Sequence, residues 1–286
     1  MNRTILAASM ALTVGGLAPM ALAPVASAQD APATGAAYTG EGVDIGVFLG
    51  TGYNYSSGKY GTATTTTIQS APLLASVEYG DFTLDVTVPF MNVNGDPNVI
   101  PGLGRVVNKN PKKRAKTGAA TGSATGIGDV ITEGTWDAYT NDTYKFGFDL
   151  SGKVKFGTGD KGQGLGDGAT DFTVGVGAFK SFGPLTITAD VGYTAMGSSS
   201  YIALKKNLVS YSAGALYRAT DKLSMGLSYD AGGQAAQGVS SSDTKELTVF
   251  AAYRVAKHWK LQGYGLAGFS DGSPDYGGGA SLKYQF

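Results

Sequence analysis

The chain has 286 residues, 22 Lys and Arg against 22 Asp and Glu, one His and no Cys. Without cysteine there are no disulfides and no thiolate metal sites, and the balanced charge lacks the basic surplus of a nucleic-acid binder. With 44 glycines, 16 tyrosines and no apolar run beyond Ala28 of the ~20 residues a membrane helix needs, the composition fits a β-protein whose strands are exposed on both faces.

Arg3, the largely apolar stretch 5–23 and the A-x-A site Ala26-Ser27-Ala28 read as an export signal over 1–28. A transmembrane anchor is the competing reading; Pro19, Pro24 and the polar segment after them favour cleavage. The mature chain is expected to begin at Gln29, with a short periplasmic segment over 29–41 and one barrel over 42–286.

From there the dominant signal is period two. Faint runs begin near Val43 and Leu73. Phe82, Leu84, Val86 and Val88 then alternate with Thr83, Asp85 and Thr87. After a fainter run near Val130, the stretch 143–156 reads TYKFGFDLSGKVKF: Tyr144, Phe146, Phe148, Leu150, Val154 and Phe156 on one face, Lys145, Asp149, Ser151, Lys153 and Lys155 on the other. Successive strand side chains point to opposite sides, so this ribbon has one greasy and one charged face. Similar runs begin near Phe172, Leu185, Val209, Leu223, Leu247 and Trp259, and the last covers 276–286. That makes about twelve strands, most near the ~9–11 residues that cross a bilayer at a tilt.

The connections sort into two kinds that alternate along the chain. Gly80-Asp81, Asn141-Asp142, 181–184, 220–222 and Lys257-His258 are tight; 56–64, 95–125, 159–169, 197–206, 232–243 and 271–275 are longer and rich in Gly and Ser. Short periplasmic turns and longer outer loops mark an outer-membrane barrel. The fold class is therefore all-β: a transmembrane antiparallel β-barrel of about twelve strands in an up-and-down meander. A soluble β-sandwich also alternates, but its inner face is rich in Leu, Ile and Val and its loops have no reason to sort by end. Tyr193, Tyr217, Tyr229, Tyr253, Trp259, Tyr284 and Phe286 suit the interfacial aromatic girdles.

Alternation assigns Asp85, Glu133, Asp137, Lys145, Asp149, Lys153, Asp190, Arg218, Asp230 and Arg254 to the lumen, with Glu78, Lys155, Glu246, Lys260 and Lys283 beside them. A single-sign ring would indicate ion selectivity; this mixed set implies cross-barrel ion pairs that partly fill the interior. About eight strands leave a filled interior and 16–18 an open channel, so a twelve-stranded barrel depends on side chains or an inward loop to govern passage. The longest loop, 95–125, is the candidate plug.

No enzyme site assembles. His258 lies in a tight turn without a serine partner, where a hydrolase triad would need both. No cofactor and no metal is implied; calcium could use oxygens from Asp160, Asp167 and Asp171, but their spacing is not that of an EF-hand. Gly157-Thr158-Gly159-Asp160-Lys161-Gly162 spells a dinucleotide-binding turn, yet nothing helical follows to meet a pyrophosphate. The glycines are expected to free a hairpin loop by reaching positive φ.

Three segments in order carry a resemblance: Gly126-Ile127-Gly128-Asp129-Val130, then GKVKFGTGDKGQGLGDGATDF over 152–172, then ITADVGYTAMG over 187–197. They resemble the outer-membrane transporters of the "MetA-pathway of phenol degradation" type, with a departure at Phe156-Gly157 where that family often has proline. The resemblance implies uptake of small aromatic or other apolar compounds without naming a substrate. The ending Tyr284-Gln285-Phe286 resembles the signal read by the barrel-assembly machinery. The expected function is a passive channel for small apolar solutes in the outer membrane; the alternative is a non-transporting structural or surface-binding barrel with an occluded lumen.

Loop 95–125 carries Arg105, Lys109, Lys112, Lys113, Arg114 and Lys116 against Asp96 alone. Lipopolysaccharide phosphates attract such a cluster, with Lys112, Lys113, Arg114 and Lys116 as the contacts; a solvated loop is the plainer reading. Replacing Lys112, Lys113 and Arg114 with serine is expected to weaken lipopolysaccharide retention during purification. Unchanged retention would remove the assignment.

Overall fold

A computed structural model of the protein describes residues 45–107, 121–238 and 243–286. The export signal, the 29–41 segment and the basic residues Lys112, Lys113, Arg114 and Lys116 lie outside the described residues. The strands are β1 (Ile45–Gly58), β2 (Thr66–Tyr79), β3 (Phe82–Gly95), β4 (Val99–Ile100), β5 (Gly104–Arg105), β6 (Gly122–Ile127), β7 (Val130–Asn141) and β8 (Phe146–Phe156). They continue with β9 (Asp171–Phe182), β10 (Leu185–Ala195), β11 (Asn207–Arg218), β12 (Leu223–Gly232), β13 (Thr244–Ala256), β14 (Trp259–Gly268) and β15 (Tyr276–Gln285).

Sequential neighbours pair antiparallel, and β15 returns to pair with β1. The sheet is thus a closed meander barrel. Its staves number twelve, because β6 and β7 are two halves of one stave: β6 pairs with Phe90–Gly95 and β7 with Phe82–Thr87 of β3. At the break between them, the Thr158 hydroxyl accepts from the Val130 N–H at 2.8 Å and donates to the Gly128 carbonyl at 2.9 Å. The Gly128 N–H finds the Pro89 carbonyl at 2.9 Å. Backbone groups freed by the break are therefore satisfied, as a membrane wall requires.

Burial follows the period-two pattern. On β9, Asp171, Thr173, Gly175, Gly177, Phe179 and Ser181 are buried, while Phe172, Val174, Val176 and Phe182 are exposed. Small and polar side chains turn in and large apolar ones turn out, the inverse of a water-soluble core and the pattern of a lipid-facing wall. The expected aromatics stand on this outer face: Tyr217, Tyr253, Trp259, Tyr284 and Phe286 by the short turns, Tyr193 and Tyr229 toward the long loops. Phe82 stacks on Trp136 at 5.8 Å, and Tyr284 packs edge-on against Trp259 and Phe286, each at 4.9 Å.

Short turns cluster at one end of the barrel and long connections at the other. The β7–β8 turn corrects one expectation. A bulge between Trp136 and Tyr139 inserts an extra residue, and β8 starts at Phe146 rather than Thr143. Lys145 sits in the turn with φ 52°, exposed, so it leaves the lumen-lining set. The turn is held by the Tyr144 N–H donating to Asn141 Oδ1 at 2.9 Å. His258 occupies the β13–β14 turn, where its Nδ1 lies 2.9 Å from the Gln285 carbonyl oxygen.

Val176 faces outward at mid-strand between Leu150 and Val191. Val176→Arg is expected to destabilise the barrel by about 2–4 kcal/mol, the cost of a cation at the bilayer midplane. Urea titration of the folded protein in lipid vesicles measures it.

Candidate functional site: the barrel interior

At the loop end the interior holds two apolar clusters beside buried Asn54, Ser56, Thr66 and Ser70. Residues 96–107, leading out of β3, fold inward as the β4–β5 hairpin. Asp96 starts it: its carboxylate accepts from the Asn98 N–H at 2.8 Å and its own N–H donates to Thr66 Oγ1 at 3.0 Å. Gly102 and Gly104, at φ 78° and 65°, close the reversal, where a side chain would be strained. Val99, Ile100, Leu103 and Val106 are buried. Val99 packs with Ile68, Met91, Val93 and Ala124 of the inner wall, and with Tyr60 and Leu165. Ile100, Leu103 and Val106 pack with Ile202, Leu208, Ala235 and Ala236. Burial holds the Tyr60 hydroxyl above its ordinary pKa and therefore neutral. Part of the predicted plug loop is thus an apolar stopper.

Beneath the hairpin lies a charged clasp. The Lys155 ammonium, on β8, reaches Asp167 Oδ1 at 2.6 Å, Asp129 Oδ2 at 3.1 Å and Asp171 Oδ2 at 3.1 Å. It also donates to the Ala169 carbonyl at 3.2 Å. All four charged side chains are nearly inaccessible. Asp129 comes from the β6–β7 break, Asp167 from the β8–β9 loop and Asp171 from the start of β9. Backbone N–H groups complete the set: Gly159 on Asp129 at 2.9 Å, Ala169 on Asp167 at 2.9 Å and Gly197 on Asp171 at 2.8 Å. A small cavity lined by Pro101, Gly102, Leu103, Leu165 and the clasp separates hairpin from clasp.

The clasp explains the glycine-rich run. A Cβ on Gly166 would meet Asp129 Oδ1 at 2.3 Å, on Gly157 the Gly168 carbonyl carbon at 2.6 Å, and on Gly159 the Leu165 oxygen at 2.7 Å. Close approach, rather than positive φ, is what Gly157 and Gly159 supply; in this loop only Gly164 and Gly168 have positive φ. Asp160, weighed above as a calcium ligand, instead caps its own turn by accepting from the Gly162 N–H at 2.8 Å. Among the described residues no acidic or histidine cluster has the geometry to hold a metal ion, and a lysine ammonium sits among the carboxylates.

Below the clasp the cross-strand register brings like charges together at several points and opposite charges at one. Asp85 is the cross-strand partner of Glu133, and Glu133 pairs with Lys153 at 3.8 Å. The carboxylates of Asp149 and Asp190 converge over Gly177, where a Cβ would meet them at 2.5 and 2.7 Å. Ser212 donates to Asp190 and Ser228 to Asp230, both at 2.9 Å. Asp230 is in turn the partner of Glu246. Asp137 lies in the β7 bulge by the turn end, with its Oδ1 buried. The basic residues Arg254, Lys260 and Lys283 line up on β13–β15. Alternation alone did not reveal these meetings; they emerge from the cross-strand register. Arg218 has inner-face parity, but it ends β11 at the rim and is exposed. The rings of Phe179 and Phe250 lie over Gly147 and Gly226 on the inner wall.

A family profile described as "Putative MetA-pathway of phenol degradation" matches residues 33–286. In fold, the chain is similar to the COG4313 outer membrane channel from Pseudomonas putida F1, with 15% identity, a TM-score of 0.62 and coverage of 87% of this chain and 97% of that one. It is similar to the KdgM porin in complex with disordered oligogalacturonate, with 9% identity, a TM-score of 0.51 and coverage of 83% and 99%. A weaker likeness, TM-score 0.41 at 10% identity over 84% and 87%, is to the CymD monoaromatic hydrocarbon channel. No curated protein matches the chain in sequence.

Lys155→Met is expected to cost about 3–5 kcal/mol, because removing the cation leaves three buried carboxylates uncompensated. The same urea titration in vesicles reads the loss. An unchanged midpoint would show that the clasp does not hold the loop end together.

Proposed function

The chain belongs to that family, and from this premise we propose that it is a passive outer-membrane channel for small apolar or aromatic solutes. The observation that carries the reading is the apolar loop end of the interior. A water-filled porin keeps a polar lumen. Here the inner wall turns apolar at Ile68, Met91, Val93 and Ala124, and the stopper lays Val99 on it. A solute entering from this end must dissolve among aliphatic side chains before it reaches the charged half. The Pseudomonas putida F1 structure, an outer membrane channel by its description, supports the reading through its fold.

In this proposal the export signal is cleaved, the turn end faces the periplasm and the long loops face outward. Phe286 is the feature read by the assembly machinery. Its N–H donates to the Val47 carbonyl at 3.0 Å, so the same residue also completes closure against β1. Lipopolysaccharide at the outer rim is the proposed lipid partner. The second reading, a non-transporting barrel, draws on the packing of the stopper, which fills the loop end.

Flux into vesicles with a lipopolysaccharide outer leaflet separates the two. The protein is expected to speed entry of phenolic solutes and leave sugars slow. Replacing 97–106 by a Gly-Ser linker is expected to raise sugar entry severalfold. Equal rates with and without protein for every solute would defeat the transport reading and leave the structural one.

A further inference from the structure

The β1–β2 connection is an exposed turn with one buried member. Lys59, Gly61 and Ala63 are exposed, whereas Tyr60 is 5% exposed. Its ring joins the apolar cluster that also holds Ile68, Met91, Val93 and Val99, and its hydroxyl lies 3.4 Å from Ser56 Oγ. The Thr62 N–H donates to the Lys59 carbonyl at 2.8 Å, and the two residues between them, Tyr60 and Gly61, have φ of 50° and 66°. Two central residues at positive φ mark a type I′ turn, whose first central place usually takes Asn, Asp or Gly.

A tyrosine in that place is costly. Positive φ suits glycine and is an outlier for a bulky side chain, and such strain persists only where the surroundings hold it. What holds Tyr60 is the burial of its ring. The turn is tied to the stopper by a solvent-exposed hydrogen bond, from Arg105 Nη1 to the Gly61 carbonyl at 2.9 Å. The root of the hairpin is bonded differently. The Val99 N–H donates to the Asp96 carbonyl at 3.0 Å and the Val106 N–H to the Asn98 carbonyl at 2.8 Å. Ile100, Leu103 and Val106 are packed into the other apolar cluster. The strained turn therefore gives way before the hairpin does.

Turning the Tyr60 ring outward relaxes the backbone, which offsets part of the packing lost. It also opens a space the size of one aromatic ring beside Ile68, Met91, Val93 and Val99. The place vacated by the ring, rather than a standing cavity, is then the passage. We infer that Tyr60 is the gate of the channel: its ring stands where a solute passes, and turning it out admits single-ring aromatic solutes while the hairpin stays seated. A sugar in the same space would leave its hydroxyls unpaired among these side chains. The inference rests on the channel reading and names the residue that selects within it.

The test uses the full chain, which has no cysteine, so Val99→Cys supplies a single reporter thiol. Val99 is 0% exposed, and in lipid nanodiscs the thiol is expected to react slowly with N-ethylmaleimide. Tyr60→Asn suits the turn and removes the ring; it should raise that rate about tenfold, the lost packing being offset in part by relieved strain. In vesicles it should speed benzyl alcohol entry severalfold and leave sugar entry slow. Tyr60→Phe, which keeps the ring, should match the unaltered protein in both readouts. Arg105→Gln frees the turn without touching the ring and should shift both in the same direction as Tyr60→Asn. It takes the place of Tyr60→Asn if that variant lacks the heat-modifiable gel mobility of a folded barrel. Where the unaltered protein passes benzyl alcohol, an entry rate unchanged by the folded variant, or raised equally for sugar, overturns the inference and leaves the channel reading standing. Where no protein passes any solute, the 97–106 linker variant included, the channel reading falls. The labelling rates then decide whether Tyr60 closes the loop end, and equal rates overturn that as well.

Discussion

Every backbone N–H and C=O that crosses hydrocarbon needs a partner within the protein, because lipid offers none. In this chain the constraint is met by the return of β15 to β1, and much of the remaining structure follows from that closure. With edges gone, side-chain alternation has only two destinations. Large apolar residues face lipid, and serine, threonine, glycine and the charged residues face inward. A ring of twelve staves is wider than the eight-stranded barrel that side chains alone fill. Here the interior also takes in a loop, the β4–β5 hairpin.

An inward loop brings its own difficulty, since it must be fixed to a wall that carries charges at the same depth. Lys155 resolves it. Its ammonium is tethered to β8 and compensates carboxylates from three other segments, so the β6–β7 break, the β8–β9 loop and the start of β9 meet at one atom. The hairpin then rests above carboxylates gathered on a cation rather than on bare ones. Burying such a cluster gains little over an apolar replacement. Its value lies in fixing relative positions: three flexible joins are tied to one strand.

The barrel was legible in the sequence because period two is a local property. The run 143–156 declares its two faces without any knowledge of partners, and the alternation of tight and long connections orders the ends. Elements set by non-local contacts were not legible. Lys145 has inner-face parity in the run, but a bulge in β7, just before the turn, moves the turn and carries it out of the lumen. The break at Gly128-Asp129 looks like a strand start, because only the pairing with β3 shows that residues 122–127 continue the same stave. The glycines of 157–168 suggested a hairpin loop freed by positive φ. They are needed because backbone and carboxylates pack where a Cβ would stand, and proximity of that kind leaves no local trace. Lys155 itself was assigned inward by alternation, yet its three acidic partners include Asp129, 26 residues away in sequence, which no spacing rule links to it.

Charge shows the same limit. Acidic and basic lumen residues are nearly equal in number, which reads as mixing. Register adds detail to that reading: Lys153 meets Glu133 and Lys155 meets three aspartates, while like charges meet elsewhere. Asp149 and Asp190 share the space over Gly177, Asp230 faces Glu246 across β12–β13, and Arg254, Lys260 and Lys283 fall in line. Mixing would lower the energy of an empty barrel, because opposite charges across strands attract and like charges repel. Packing therefore gives no reason for the like charges that meet.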